Sequence, residues 1–117
     1  MPSEYERAVH YFTRAYAVDP TFRMARLSRA ILLGRELGRT REALADLDAL
    51  LAEDPDFAPA RLNRGLILQE DGRYREALHD LEQYLAQPDW RDHRQEAQRI
   101  VALLREILAE MDDEMRG

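Results

Sequence analysis

Few side chains in the sequence could carry out catalysis, and those few lie far apart. The three histidines fall in three different predicted helices: His10, His79 and His93. Asp80 follows His79, but a histidine beside a carboxylate needs a positioned nucleophile to act in acyl transfer, and no serine motif accompanies this pair. We therefore predict no catalytic residues and no enzymatic activity.

Metal and cofactor sites are also disfavoured by residue type and spacing. The chain has no Cys, so it has no disulfide, no thiolate metal ligand and no thiol nucleophile. Its acidic residues lack the ligand spacing of a calcium loop, and its five Gly residues do not form a phosphate-binding loop. The sequence thus predicts neither a metal nor a cofactor.

The charge balance bears on the class of partner. Acidic residues number 23 against 17 arginines and no lysine, a net charge of −6, whereas nonspecific nucleic-acid binding needs a basic face. No apolar run approaches the ~18 residues of a membrane-spanning helix, and the N-terminal residues lack a signal-peptide pattern. We expect a cytoplasmic protein that binds neither nucleic acid nor membrane and whose partner is a protein or peptide.

The sequence contains a tandem repeat. Residues 25–33 align with residues 60–68 at an offset of 35, and residues 38–47 align with residues 72–81 at an offset of 34. The N-terminal segment carries the second half of the same pattern, 35 residues ahead: Ala8, Phe12, Ala15 and Pro20 precede Ala43, Leu47, Leu50 and Pro55. This spacing indicates two full repeats preceded by a half repeat.

Apolar residues at three- and four-residue spacing predict six helices, over residues 4–18, 22–36, 40–53, 57–70, 74–86 and 91–114. Ser3 and Glu6 form a capping box that predicts where the first helix begins. Gly38 and Gly72 fall between paired helices, where a helix end favours a residue that tolerates positive φ. The last and longest helix is expected to cover the end of the stack.

These features resemble the tetratricopeptide repeat, a helix–turn–helix unit of about 34 residues. The small residue of the family's first helix corresponds to Ala30 and Gly65, and the Gly between the helices corresponds to Gly38 and Gly72. The Ala of the second helix corresponds to Ala8, Ala43 and Ala77, and the closing Pro corresponds to Pro20 and Pro55. Arg26 and Arg61 stand where the family often has an aromatic residue. The resemblance implies an all-α fold, an α-solenoid of antiparallel helix pairs in a superhelix.

We expect one domain over residues 1–117. It consists of a half repeat over residues 4–20, a first repeat over residues 21–55, a second repeat over residues 56–89 and a C-terminal capping helix over residues 90–115. The small residues of each repeat are expected to let its two helices approach closely, so that Ala77→Leu would force them apart.

Two arginines occupy an otherwise apolar face of the first helices, and two aspartates hold matching places on the second helices. We predict that Arg29 pairs with Asp46 and that Arg64 pairs with Asp80. The alternative is four solvated surface charges.

The resemblance implies a partner-binding groove lined by the first helices: Met24, Leu27, Ile31, Leu62, Leu66 and Gln69. This lining is apolar, so it favours an apolar or amphipathic helical segment over a terminal carboxylate. Two alternatives stay open, namely that the last helix fills the groove or that these residues belong to the core. The predicted function is a protein-interaction scaffold or adaptor that binds a peptide or helical segment of a partner in this groove.

The first helix is rich in aromatic residues although the repeat pattern gives it no partner helix. It carries four of the nine aromatic residues of the chain: Tyr5, Tyr11, Phe12 and Tyr16. A bare aromatic face is typical of a protein contact, so a symmetric homodimer, a structural self-assembly unit, is the alternative function. The rings could instead pack on Phe22 and the following helices.

Overall fold

The computed structural model describes residues 1–88 and 93–117. Within these residues lie six helices and no strand: α1 (Glu4–Val18), α2 (Arg23–Ile31), α3 (Thr40–Glu53), α4 (Ala58–Glu70), α5 (Tyr74–Ala86) and α6 (Arg94–Arg116). A π-helical segment, Leu32–Glu36, continues α2. The predicted all-α fold with six helices is confirmed. The predicted start of the last helix at residue 91, and the boundary at residues 89 and 90, lie outside the described residues.

The helices form one stack in which each helix packs against the next along the chain. α2 with α3 and α4 with α5 are the paired helices of the two repeats, while α1 packs on α2 and α6 packs on α5. The stack measures 53 × 36 × 23 Å. Leu47, Leu81 and Leu104 are at most 1% exposed, so one apolar core runs from the first repeat into α6.

Glycine at position 65 sets the distance between α4 and α5. A Cβ atom on Gly65 would lie 2.8 Å from Cγ of Leu81 and 3.3 Å from Cβ of Asp80. Since these separations are shorter than van der Waals contact, only a residue without a side chain fits at this approach. Ala77, one turn before Leu81 on α5, is fully buried. The two helices therefore nest through small residues at this point of the repeat.

The π-helical segment accounts for the offset of 35 residues in one part of the repeat and 34 in the other. In the second repeat the N–H of Arg73 donates to the carbonyl oxygen of Leu68 at 2.9 Å and closes the end of α4. At the same place in the first repeat, the N–H of Arg39 donates to the carbonyl oxygen of Leu33 at 2.7 Å. The first repeat spans one more residue between donor and acceptor, and the wider π turn over Leu32–Glu36 accommodates it.

The ends of the helices follow from local residue chemistry. Oγ of Ser3 accepts a hydrogen bond from the N–H of Glu6 at 3.1 Å and caps α1. Gly38 and Gly72 have φ values of 66° and 80°, in the left-handed region that glycine adopts without steric cost. Both glycines turn the chain between the paired helices of a repeat.

Candidate interaction surfaces

The first repeat contains a polar cluster that joins three helices. Arg29 on α2 donates from Nε and Nη2 to the two carboxylate oxygens of Asp46 on α3, at 2.8 and 2.5 Å. Arg26 adds a third hydrogen bond to Asp46 at 3.1 Å, and its Nη1 donates to the hydroxyl of Tyr16 on α1 at 2.7 Å. Thr13 on α1 accepts from Arg29 at 3.3 Å. Asp46 is only 5% exposed, so these contacts satisfy a buried carboxylate.

The second repeat contains the equivalent cluster. Arg64 on α4 donates from Nε and Nη2 to both carboxylate oxygens of Asp80 on α5, at 2.7 and 2.8 Å. Its Nη1 also reaches Asp48 on α3 at 3.0 Å. Arg61 lies 3.4 Å from Asp80 and donates to the carbonyl oxygen of Pro55 at 3.0 Å. The structure thus brings together both arginine–aspartate pairs expected from the sequence, and each cluster also reaches back to the preceding helix.

The charge state of these clusters follows from the bidentate contacts. The side-chain hydrogen bond with Asp80 raises the pKa of Arg64, against the opposing effect of burial, and the bond with Asp46 raises the pKa of Arg29 in the same way. Both guanidinium groups therefore stay charged, and neither can exchange a proton near neutral pH. The clusters hold helices together and offer no acid–base chemistry.

Half of the predicted groove lining is buried. Leu27, Leu62 and Leu66 are 4%, 6% and 6% exposed and belong to the apolar core, so the expectation that they line an open groove is wrong. The reason is that neighbouring helices lie close together, as the contact between α2 and α4 shows, and these side chains pack into the core that the helices share. The remaining three predicted residues reach the surface, Met24 at 49% exposure and Ile31 and Gln69 in part.

The sixth helix supplies apolar surface that the sequence analysis missed. α6 packs on α5, the second helix of the second repeat, just as α4 packs on α3, the second helix of the first repeat. In the stack α6 therefore has the position that the first helix of a third repeat would have. Arg105 pairs with Glu82 of α5 at 2.8 Å and marks the flank of α6 that faces the second helices. By helical register, Leu103 and Ile107 lie on the opposite flank, the side formed by α2, α4 and α6. Leu103 is 50% exposed and Ile107 is partly exposed.

Exposed large apolar side chains occur only near the two ends of the stack in the part of the chain that the structure describes. They are Met1, Tyr5, Tyr11, Val18, Phe22 and Met24 at one end, and Leu103, Met111 and Met115 at the other. Between Ala25 and residue 88, the large apolar side chains are buried or only partly exposed. An apolar contact with another protein is therefore available mainly at α1, at the start of α2 and along α6.

The aromatic residues of α1 divide into two groups. Tyr5 and Tyr11 are 46% and 67% exposed, and the ring of Phe12 meets the edge of Tyr11 with 5.4 Å between centroids. Tyr16 instead faces α2, where the guanidinium of Arg26 lies 4.8 Å from its ring centroid. Of the four aromatics that the sequence analysis grouped, Tyr16 thus contributes to the packing of α1 on α2.

A polar cleft of about 940 Å³ lies between α3 and α5, with α4 as its floor. Arg41 and His79 line it together with Arg64, Asp48 and Asp80 of the second cluster, and Leu68 forms part of the floor. The residues described here contain no group of three His, Asp or Glu side chains that could hold a metal ion. No helix among them is long and apolar enough to cross a membrane.

Comparison with known protein families gives a match over about half of the chain. The family model of the tetratricopeptide repeat matches residues 34–93, which is 60 of the 117 residues. The matched stretch includes the whole second repeat, with its arginine–aspartate cluster and Gly65. No curated protein matches the chain.

Proposed function

Because the chain belongs to the tetratricopeptide-repeat family, whose members generally mediate protein–protein interactions, we propose that it holds a helical segment of another protein. The segment lies across the side formed by α2, α4 and α6. The family is typically non-enzymatic, and the proposal includes no catalytic step.

The observation that carries this proposal is the placement of exposed apolar side chains on the two outer helices of that side. Met24 on α2 and Leu103 on α6 are each about half exposed, and Ile31 and Ile107 extend the apolar surface on the same two helices. A helix that crosses from α2 to α6 can bury side chains at both ends of its apolar face. In protein interfaces a few side chains that become well buried carry most of the binding energy.

The state of the arginines supports an apolar ligand over an acidic one. Arg26 and Arg29 on α2 already bind Asp46, and Arg61 and Arg64 on α4 already bind Asp80. A carboxylate ligand would have to compete with those internal partners. These four arginines are therefore already engaged within the fold and do not favour an acidic partner.

A pair of double variants tests the proposal by affinity capture from the native host. Met24→Glu with Leu103→Glu places two charges on the proposed surface. Val18→Glu with Met115→Glu is the matched control, because it adds the same charge at side chains that are 87% and 85% exposed elsewhere. We expect the wild type and the control to capture the same protein and the first variant to lose it. Equal capture by both double variants would contradict the proposal.

A further inference from the structure

The apolar side chains on the exposed flank of α6 are bordered by carboxylates. Glu110 lies seven residues after Leu103 and three after Ile107, which places it two turns along the same flank. Glu106 and Glu114 lie four residues before and after Glu110, so the three residues form one row along the helix, the glutamate row. All three are exposed. At α6, the proposed partner surface therefore combines apolar side chains with negative charge.

The glutamate row has no positive counterpart within the fold. None of its carboxylates has a hydrogen-bond or ion-pair partner among the described residues. Residues 103–114 contain one basic residue, Arg105, which lies on the other flank of α6 and pairs with Glu82 of α5 at 2.8 Å. Asp112 also faces α5, where it pairs with Arg75. The charges that face α5 are thus paired, whereas those of the row are not.

The remaining charges on the side formed by α2, α4 and α6 do not neutralise the row either. Arg35, one turn after Ile31, pairs with Glu70 of α4 at 3.5 Å. The arginines of the two polar clusters bind buried aspartates. Arg99 lies on α6 one turn before Leu103, about 10 Å along the helix from the start of the row, which is beyond the reach of an ion pair. The free charge next to Leu103 on the C-terminal half of α6 is therefore acidic.

The row lowers the stability of the free helix in two ways. Like charges four residues apart are neighbours on a helix surface and repel each other. Glu110 and Glu114 also lie in the last two turns of α6, where the helix dipole is negative and disfavours further negative charge. The only basic residue of the last turn is Arg116. A cation brought by a partner offsets both effects.

We propose that the helical segment held on this side is cationic, with basic residues one turn away from the apolar residues that cover Leu103 and Ile107. Long arginine and lysine side chains pack their aliphatic stems on apolar surface while their charged ends extend beyond it. Here the charged ends meet the glutamate row, and the apolar face of the segment continues across α4 toward Met24 on α2. This inference rests on the proposed function, because it names the chemistry of the segment bound at that site.

Binding of two synthetic peptides tests the inference. Both are fluorescently labelled amphipathic helices with the same leucine face; one carries lysine at the flanking positions and the other carries glutamate there. Fluorescence anisotropy should show that the wild-type chain binds the lysine peptide at least about tenfold more tightly than the glutamate peptide. The preference should decrease at high salt, because the contacts are exposed. Equal affinity for the two peptides, or no binding of the lysine peptide, would overturn the inference.

Two matched double variants locate the contact. Glu110→Gln with Glu114→Gln removes two charges of the row. Glu4→Gln with Glu53→Gln removes two exposed carboxylates elsewhere that likewise have no ion-pair partner in the described part of the chain. The first variant should bind the lysine peptide about threefold to tenfold less tightly than the wild type, and the control should bind it as the wild type does. Equal affinity of the two variants would mean that only the net charge of −6 attracts the peptide, and would overturn the inference.

Thermal unfolding distinguishes a binding role of the row from a structural one. Because the glutamates repel one another and oppose the helix dipole, Glu110→Gln with Glu114→Gln should unfold at a temperature no lower than the wild type. A lower midpoint would show that the row stabilises α6, and would overturn the inference.

The capture experiment with Met24→Glu and Leu103→Glu separates this inference from the proposed function. Loss of the captured protein in that double variant, together with equal binding of the two peptides by the wild type, would refute the charge preference alone. The partner would then still lie across α2, α4 and α6.

Discussion

Removal of Arg64 should destabilise the protein far more than removal of an exposed arginine. In Arg64→Ala, the carboxylate of Asp80 loses both short hydrogen bonds, at 2.7 and 2.8 Å. Only Arg61 remains near it, at 3.4 Å, and Asp80 is 2% exposed and therefore not solvated in compensation. The variant leaves a buried charge almost without partners.

The size of the effect can be bounded from the exposure of the two side chains. Breaking a fully buried ion pair costs about 3–5 kcal/mol, and an exposed pair contributes about 0–1 kcal/mol. The side chain of Arg64 is 23% exposed, which places this pair nearer the buried limit. We expect Arg64→Ala to lower the free energy of unfolding by about 3 kcal/mol, or the Tm by roughly 10 °C.

Urea unfolding followed by circular dichroism measures this change, with two comparison variants. Arg105→Ala removes an ion pair whose side chains are 61% and 42% exposed, and it should cost at most about 0.5 kcal/mol. Arg64→Met with Asp80→Leu removes both charges and should recover much of the stability lost in Arg64→Ala. An Arg64→Ala variant no less stable than Arg105→Ala would refute the argument that the pair is buried and structural.

Three further substitutions test individual steps of the packing. Arg29→Ala should lower the free energy of unfolding less than Arg64→Ala does, since Asp46 keeps a hydrogen bond of 3.1 Å from Arg26. A larger decrease for Arg29→Ala, measured by urea unfolding, would contradict this. Ala77→Leu should destabilise by about 1–3 kcal/mol, because the alanine is fully buried in the α4–α5 contact, and an unchanged unfolding midpoint would count against close nesting there. Gly72→Ala should cost about 1 kcal/mol through backbone strain alone, because φ is 80° and a Cβ atom would meet nothing within 4 Å. Its far-ultraviolet spectrum should match that of the wild type.

The architecture could be predicted because it follows from the spacing of apolar, small and turn residues along the sequence. The offset between residues 25–33 and 60–68 places two helix pairs side by side, and turn glycines and prolines mark where each helix ends. Gly65 shows why small residues carry so much of this signal, since the distance of 2.8 Å to Leu81 excludes almost any other residue. The aspartate partners of Arg29 and Arg64 could be predicted because the same arginine and aspartate positions occur in both repeats.

The open surface could not be predicted in the same way. Whether Leu27 and Leu66 are exposed depends on how closely α2, α4 and α6 lie, and helical periodicity does not contain that distance. The extra residue in the first repeat likewise predicts a longer loop, whereas the chain accommodates it as a π turn in Leu32–Glu36. The sequence analysis missed Leu103 because it interpreted the last helix as a cap at the end of the stack. Only the position of α6 after α5 in the structure shows that this helix extends the side formed by the first helices.

Photo-crosslinking in the native host tests most directly the claim that a partner lies across α2, α4 and α6. A photoreactive residue at Met24 and, separately, at Leu103 is expected to capture one and the same protein, because both side chains are about half exposed on that side. A photoreactive residue at Arg41, in the cleft between α3 and α5, should not capture it. Capture from Arg41 with none from Met24 or Leu103 would place the partner on the opposite side of the stack and contradict the account.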